Sequence, residues 1–415
     1  MAACGAVACG AAVARRASVP GRAPDTVWRA RARCGSAADL NPHARAGPPL
    51  RRQCTHPIGA HRCAPRAAVV YPTKRELRDS VPAECFKPNV WASLGYAAVD
   101  LGLLGLCFGV FAPAALAQPL LLPAYWGVTG LVMWMNFVIG HDCGHGSFSR
   151  SQLLNGVVGH LTHAPLMVPF YPWAYSHKQH HRFHQHRTKD MSHPWWSAEE
   201  YKAVHPIVRV LALDYWVGTF LAFPGYLLLE SKRFGTDGSH FWPGSRLFDN
   251  APKAERRKCA ISSAVCVGFL AATLLASGGS LYAWVAGYAA PYLVFSWWLF
   301  TVTYMQHHSD ETEVYEEGEW NYVKGACQTI DREFGGFVDA VTHRITSDHV
   351  AHHLFSDMPH YKLQEATAGV RSVLEPRGLY QRRDTRNFVS EVFRLYREKG
   401  HCLESSRPRA FREGA

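Results

Sequence analysis

The chain has 415 residues, 48% of them hydrophobic, with 44 Lys and Arg against 33 Asp and Glu and a formal charge of +11. That length allows a large core or several membrane spans. The first 70 residues hold 11 Arg, no Lys and two acids, Asp25 and Asp39, so they carry +9 of the charge. With the excess confined to one tail, the basic balance gives no support to nucleic-acid binding.

This tail is rich in Ala, Arg, Pro and Gly and lacks the apolar run that a secretory signal carries after a basic start. Residues 1–70 therefore read as an organelle transit peptide, outside the folded part. Composition does not separate chloroplast from mitochondrion, and a disordered tail that stays attached is the alternative. Six of the 12 cysteines precede residue 86. Spacings such as Cys4/Cys9 and Cys54/Cys63 form no zinc pattern, so free thiols are expected.

The stretch PTKRELRDSVP at 72–82 predicts a short amphipathic helix. Two apolar segments follow, 93–117 and 120–140, separated by Gln118 and Pro119. Each is long enough, at roughly 30–37 Å of helix, to cross hydrocarbon, and so short a linker makes them a hairpin. The first is apolar apart from Asp100. Residues 141–206 are polar. Segment 208–229 is apolar again but holds Arg209, Asp214 and Pro224. After a basic stretch, 260–276 and 281–305 form a second apolar pair split by SGGS. The chain is polar from His307 onward, and residues 379–415 read as a soluble tail. No repeat at solenoid periods is present.

Three histidine clusters stand beside these segments: HDCGH at 141–145, HKQHH at 177–181 and HVAHH at 349–353. The spacing is i,i+4 in the first and i,i+3,i+4 in the others, so on a helix each cluster aims its imidazoles to one side. Eight such histidines exceed what one metal ion needs and suit two. Clusters that share metals must share one membrane face. Two hairpins return the chain to its starting side; a single crossing by 208–229 would strand the third cluster, so that segment reads as interfacial or re-entrant.

Imidazole suits Fe, Cu, Zn and Ni, and a closed structural zinc site takes only four ligands. The excess points to two redox metals with open positions, iron or copper by residue type. His307 follows the last span as His141 follows its own, and makes a ninth ligand. Ligating histidines commonly donate their second N–H to a carboxylate or carbonyl. Asp142, Asp190, Asp348 and Asp357 are candidates for that supporting role, as are His184, His186 and His343. His308 reads as supporting or surface, His160 and His163 as packing residues, and His193 and His360, beside Pro, as turn residues.

These motifs resemble the membrane-bound acyl-lipid fatty acid desaturases of plants and algae, whose HxxxH, HxxHH and HxxHH boxes all match. The resemblance runs from about Pro72 to Gly378 and includes VVGHLTHAPLMVP at 157–169 and HVAHHLFSDMPHY at 349–361. It implies an all-α integral membrane protein with four transmembrane helices in two hairpins. A helical cap would carry a histidine-bound dimetal site, within a desaturase domain over 71–378. It further implies two non-haem Fe ions and O2 as co-substrate. The ligands carried over are His141, His145, His177, His180, His181, His349, His352 and His353, with His307 matching the extra family histidine. A cis double bond would enter an acyl chain of a membrane glycerolipid, with electrons from ferredoxin in plastids or cytochrome b5 in the endoplasmic reticulum.

HDCGH followed by GSFS is similar to omega-3 desaturases, whereas HVAHHLFS is similar to the Δ12 (omega-6) group. Omega-3 is preferred, and the Arg-rich tail favours a plastid membrane and ferredoxin over the reticulum. A diiron acyl hydroxylase and a membrane metal transporter are the further alternatives. The transporter is disfavoured because the boxes lie outside the spans.

Overall fold

The structure, a computed structural model, describes residues 70–190, 192, 195, 197–209, 216–229, 238–309 and 311–398. The expected transit peptide, Val70 excepted, lies outside the described residues, as do His193 and the chain beyond 398. Lys74–Asp79 is helical, with Thr73 capping it by accepting the Glu76 N–H.

Among the described residues four helices are long and apolar enough to cross a membrane: α1 (Val90–Ala117), α2 (Pro119–His145), α6 (Lys253–Ala276) and α7 (Leu281–His307). They coincide with the four expected apolar segments and extend them, by seven residues at the start of α6, five at the end of α2, three at the start of α1 and two at the end of α7. Between them lie α3 (Gln152–His163), α4 (Phe170–Arg182) and α5 (Gly218–Leu228). After α7 come strand β1 (Asp331–Glu333), α8 (Gly336–Val341), α9 (His349–Leu354), α10 (Leu363–Leu374), strand β2 (Arg382–Asp384) and α11 (Phe388–Arg397).

The spans divide into an inner and an outer pair. The apolar windows of α2 and α7 are 61% and 44% buried, against 28% and 17% for α1 and α6. The outer helices thus keep most of their apolar surface for lipid, and the inner two pack on each other. Gly130 allows that contact: a Cβ there would lie 2.5 Å from Val294 Cγ1 and 3.0 Å from the Phe295 nitrogen. Within α7, Val285–Ala289 forms a π-turn. Tyr125 Oη donates to the Gly287 carbonyl (2.6 Å) and Trp126 Nε1 to that of Ala286 (2.8 Å), so α2 satisfies backbone oxygens at this irregular turn. Asn136 donates to the Asp100 carbonyl at 2.9 Å and ties α2 to α1.

The segment expected to be interfacial contains α5, which has 11 residues. At about 16 Å it is too short to cross about 30 Å of hydrocarbon. It packs on α7, where Ser296 Oγ donates to the Phe220 carbonyl at 2.7 Å. Residues 210–215 lie outside the described residues.

Residues 379–397 differ from the expected tail. β2 pairs in parallel with β1 in the register Asp331↔Arg382, Arg332↔Arg383, Glu333↔Asp384. Val392, Leu395 and Tyr396 of α11 are buried, and Tyr396 packs edge-on to Phe300 of α7. A three-residue strand has no alternating pattern long enough to read, which is why the boundary at 378 misplaces it.

Candidate metal centre

His141 and His145 occupy the last turns of α2, and His177, His180 and His181 the C-terminal half of α4. His307 ends α7, and α9 carries His349, His352 and His353. The ring nitrogens converge in three groups, each within 4.8 Å: His141, His145, His177, His181 and His352; His180, His184 and His353; and His307, His349 and His353. The last two groups share His353, so ten histidines gather in one group of five and two smaller groups joined by His353.

In the first group the Nε2 atoms of His141 and His352, of His352 and His181, and of His181 and His177 are each 3.1 Å apart. His349 and His307 Nε2 are 3.3 Å apart. Two imidazole nitrogens bound to one cation at about 2.1 Å lie about 3.0 Å apart at a right angle and about 3.4 Å apart at a tetrahedral one. His353 is 1% exposed, and neither of its ring nitrogens has a hydrogen-bond partner. Buried polar atoms are rarely left so, and a shared cation would satisfy them. The donor set therefore fits transition-metal ions.

Several contacts fix the ring orientations. His349 Nδ1 donates to the Ile345 carbonyl at 2.9 Å and His180 Nδ1 to Asp190 Oδ1 at 2.8 Å, which leaves each Nε2 for the interior. Asp190 also accepts the Gln185 and Ser192 backbone N–H groups. Burial favours its neutral form, but the His180 imidazole outweighs this and holds the carboxyl below the ordinary range. Asp142 Oδ1 lies 3.4 Å from His141 Nδ1, while its Oδ2 accepts both the backbone N–H and Nδ1–H of His360 at 2.9 Å. Burial, reinforced by neighbouring imidazoles, holds His177, His181, His349, His352 and His353 well below the usual 6.5. They are neutral near pH 7, with lone pairs available for a metal.

The remaining candidate histidines and carboxylates divide between those that turn inward and those that bond elsewhere. His184 joins a converging group instead of supporting it from outside: Thr329 Oγ1 holds its Nε2 at 3.0 Å, and its Nδ1 has no hydrogen-bond partner. The left-handed backbone at Gln185 (φ 58°) turns the chain just past it. His186 points outward, to Glu317 at 2.9 Å. His343 donates to Asp100 Oδ2 at 2.6 Å, away from the converging nitrogens. Asp348 accepts from Ser347 Oγ at 2.8 Å, and Asp357 pairs with Arg78 near the surface at 3.8 Å. His308 stacks on Tyr304, and His160 bonds Ser262 at 2.9 Å. His163 packs against Phe137 beside Gly140.

His360, expected at a turn beside Pro359, bonds to Asp142, 218 residues away, and no local pattern ties the two. Asp100 did leave a signal, as the lone charge in its span; such residues commonly have a buried partner.

The sequence pattern described as fatty acid desaturase matches residues 117–385. The chain is 39% identical over 341 residues to the sn-1 acyl-lipid omega-3 desaturase (ferredoxin) of Synechocystis, covering 80% of this chain and 91% of that protein. It is 40% identical over 308 residues to a Delta(12) fatty acid desaturase of Caenorhabditis elegans, covering 74% and 80%. A chloroplastic omega-3 fatty acid desaturase of Glycine max is 36% identical over 337 residues, covering 78% and 69%. With its apolar spans and gathered histidines, the chain belongs to the fatty acid desaturase family. It is an acyl-lipid desaturase, an oxidoreductase.

Proposed function

We propose that this desaturase uses two iron ions and O2 to place a cis double bond in an already unsaturated acyl chain of a membrane glycerolipid, converting linoleoyl to linolenoyl groups. The observation that carries the reading is the sharing of His353 between two converging groups beside a separate group of five. His141, His145, His177, His181 and His352 would hold one iron. His180, His307, His349 and His353, with His184 as a further donor, would hold the other.

Bound there, iron supplies the O2 chemistry by which two hydrogens leave adjacent methylenes. The balance is one acyl chain, one O2, two electrons and two protons giving one alkene and two waters. The protein orients and shelters the site. Asp190 keeps the His180 proton on Nδ1, and the Ile345 carbonyl does the same for His349. Asp142, anchored by His360, flanks His141. Trp173 stacks on His177 with centroids 4.6 Å apart and places an apolar plane against the first group, limiting water.

Omega-3 selectivity, ferredoxin as electron donor and a plastid membrane are supported by the names of the cyanobacterial and soybean relatives and by the Arg-rich first 70 residues. The 40%-identical Delta(12) relative supports a second reading, oleoyl to linoleoyl. Expression in a yeast that makes oleate, in parallel cultures with and without fed linoleate, decides between them. New α-linolenate is the expected product. New linoleate alone would favour the second reading, and a hydroxylated chain without a new alkene would overturn both.

A further inference from the structure

β1 is three residues long and lies against two of the histidine-bearing helices. Asp331 and Arg332 are consecutive in it and buried to 0% and 1% exposure. Neighbouring strand residues point to opposite sides, and here each side meets the end of a different helix.

On one side is α9. Its six residues carry three converging histidines, yet its N-cap Asp348 makes no side-chain cap bond. The first N–H groups of any helix lack internal acceptors, and so short a helix does not stand alone. Asp331 supplies the missing cap from 19 residues away, accepting the Val350 N–H on Oδ1 at 2.8 Å. Its Oδ2 accepts the Tyr380 hydroxyl at 2.6 Å. Tyr322 steadies the other end of α9 by donating to the His353 and Leu354 carbonyls at 2.8 and 2.9 Å.

On the other side is the end of α7, where terminal carbonyls lack internal donors. Arg332 Nε donates to the Met305 carbonyl at 2.7 Å and its guanidinium to that of His308 at 3.3 Å. The Ile330 N–H closes the Gln306 carbonyl at 3.0 Å. His307 lies among these carbonyls, and its Nε2 is 3.3 Å from that of His349, the first residue of α9.

We propose that Asp331 and Arg332 are positioning residues for the second metal position, setting the end of α7 against the start of α9 so that His307, His349 and His353 converge. This rests on the two-iron reading above. The C-terminal segment locks the clamp through Tyr380, the pairing of β2 with β1, and Glu391, which lies 4.0 Å from the Arg332 guanidinium. Residues beyond 378 are thereby part of the metal centre's support.

The two residues make separable demands. The Arg332 guanidinium reaches the helix end that bears His307 and, on α11, Glu391, whereas Asp331 caps a helix that serves both positions through His352 and His353. The test is iron per chain, by mass spectrometry on detergent-purified full-length protein, with thermal unfolding recorded in parallel. Outer residues of this kind typically change metal affinity by about 10–100-fold. Arg332→Gln is expected to fall from about two irons to about one while keeping a cooperative melt, because the first position is untouched. Asp331→Ala is expected to lose more, and Asp331→Asn, whose amide oxygen still accepts the Val350 N–H, to recover most of it. Retained iron serves as the folding control. If both Arg332→Gln and Asp331→Ala keep the wild-type iron count, or if Arg332→Gln loses both irons together, the positioning role is overturned and the two-iron reading stands. If wild-type protein loaded with iron holds none, the two-iron reading itself falls and the positioning role with it.

Discussion

His353 is the residue on which the two converging groups turn, because it belongs to both and neither of its ring nitrogens is hydrogen-bonded. His186 is as deeply buried but bonds outward to Glu317. The pair gives a sharp contrast. His353→Ala should bring product to background and lower bound iron, with membrane insertion unchanged. His186→Gln should leave the iron count intact. Equal iron loss in both variants would mean that convergence does not mark the metal-holding residues. The three boxes were legible from spacing alone, since i,i+3,i+4 fixes a helical face. The inward turn of His184 and the partnership of Asp142 with His360 were not, since each depends on backbone or contacts that no short window contains.

At the scale of elements, the inner helices α2 and α7 set where the boxes meet, and Gly130 sets how closely those helices approach. Its neighbours there include the Phe295 backbone nitrogen, which cannot swing aside. Gly130→Leu is therefore expected to destabilise the protein by about 1–3 kcal/mol through overpacking and to lower activity by spreading α2 from α7. A wild-type melting midpoint in detergent would contradict this. The spans were readable because long apolar runs carry a strong signal, and within 208–229 the described helix has 11 residues. The β1–β2 pair was hidden by its length, and with it the place of residues 379–397 in the body.

Across the whole molecule, the histidines make stability depend on acid. His177, His181, His349, His352 and His353 are held below the ordinary imidazole value of 6.5 by burial and by one another. As pH falls through 6.5 the unfolded chain takes up protons that the folded chain refuses. The unfolded state then binds more protons, and stability declines with falling pH. Their contribution is fully present above 6.5 and is lost below it. Protons also compete with metal for the same lone pairs, so iron release runs in the same direction. The melting midpoint of metal-free protein should fall between about pH 7.5 and about pH 5.5; a flat midpoint would show that these rings take up protons as readily in the fold as in the unfolded chain.

The most direct test of the account is the metal content of the purified full-length enzyme. The gathering of ten histidines in three converging groups, two of them joined by His353, together with the proposed two-iron reading, predicts about two iron ions per chain. A single tightly held zinc per chain, filling one closed four-ligand site, would contradict it.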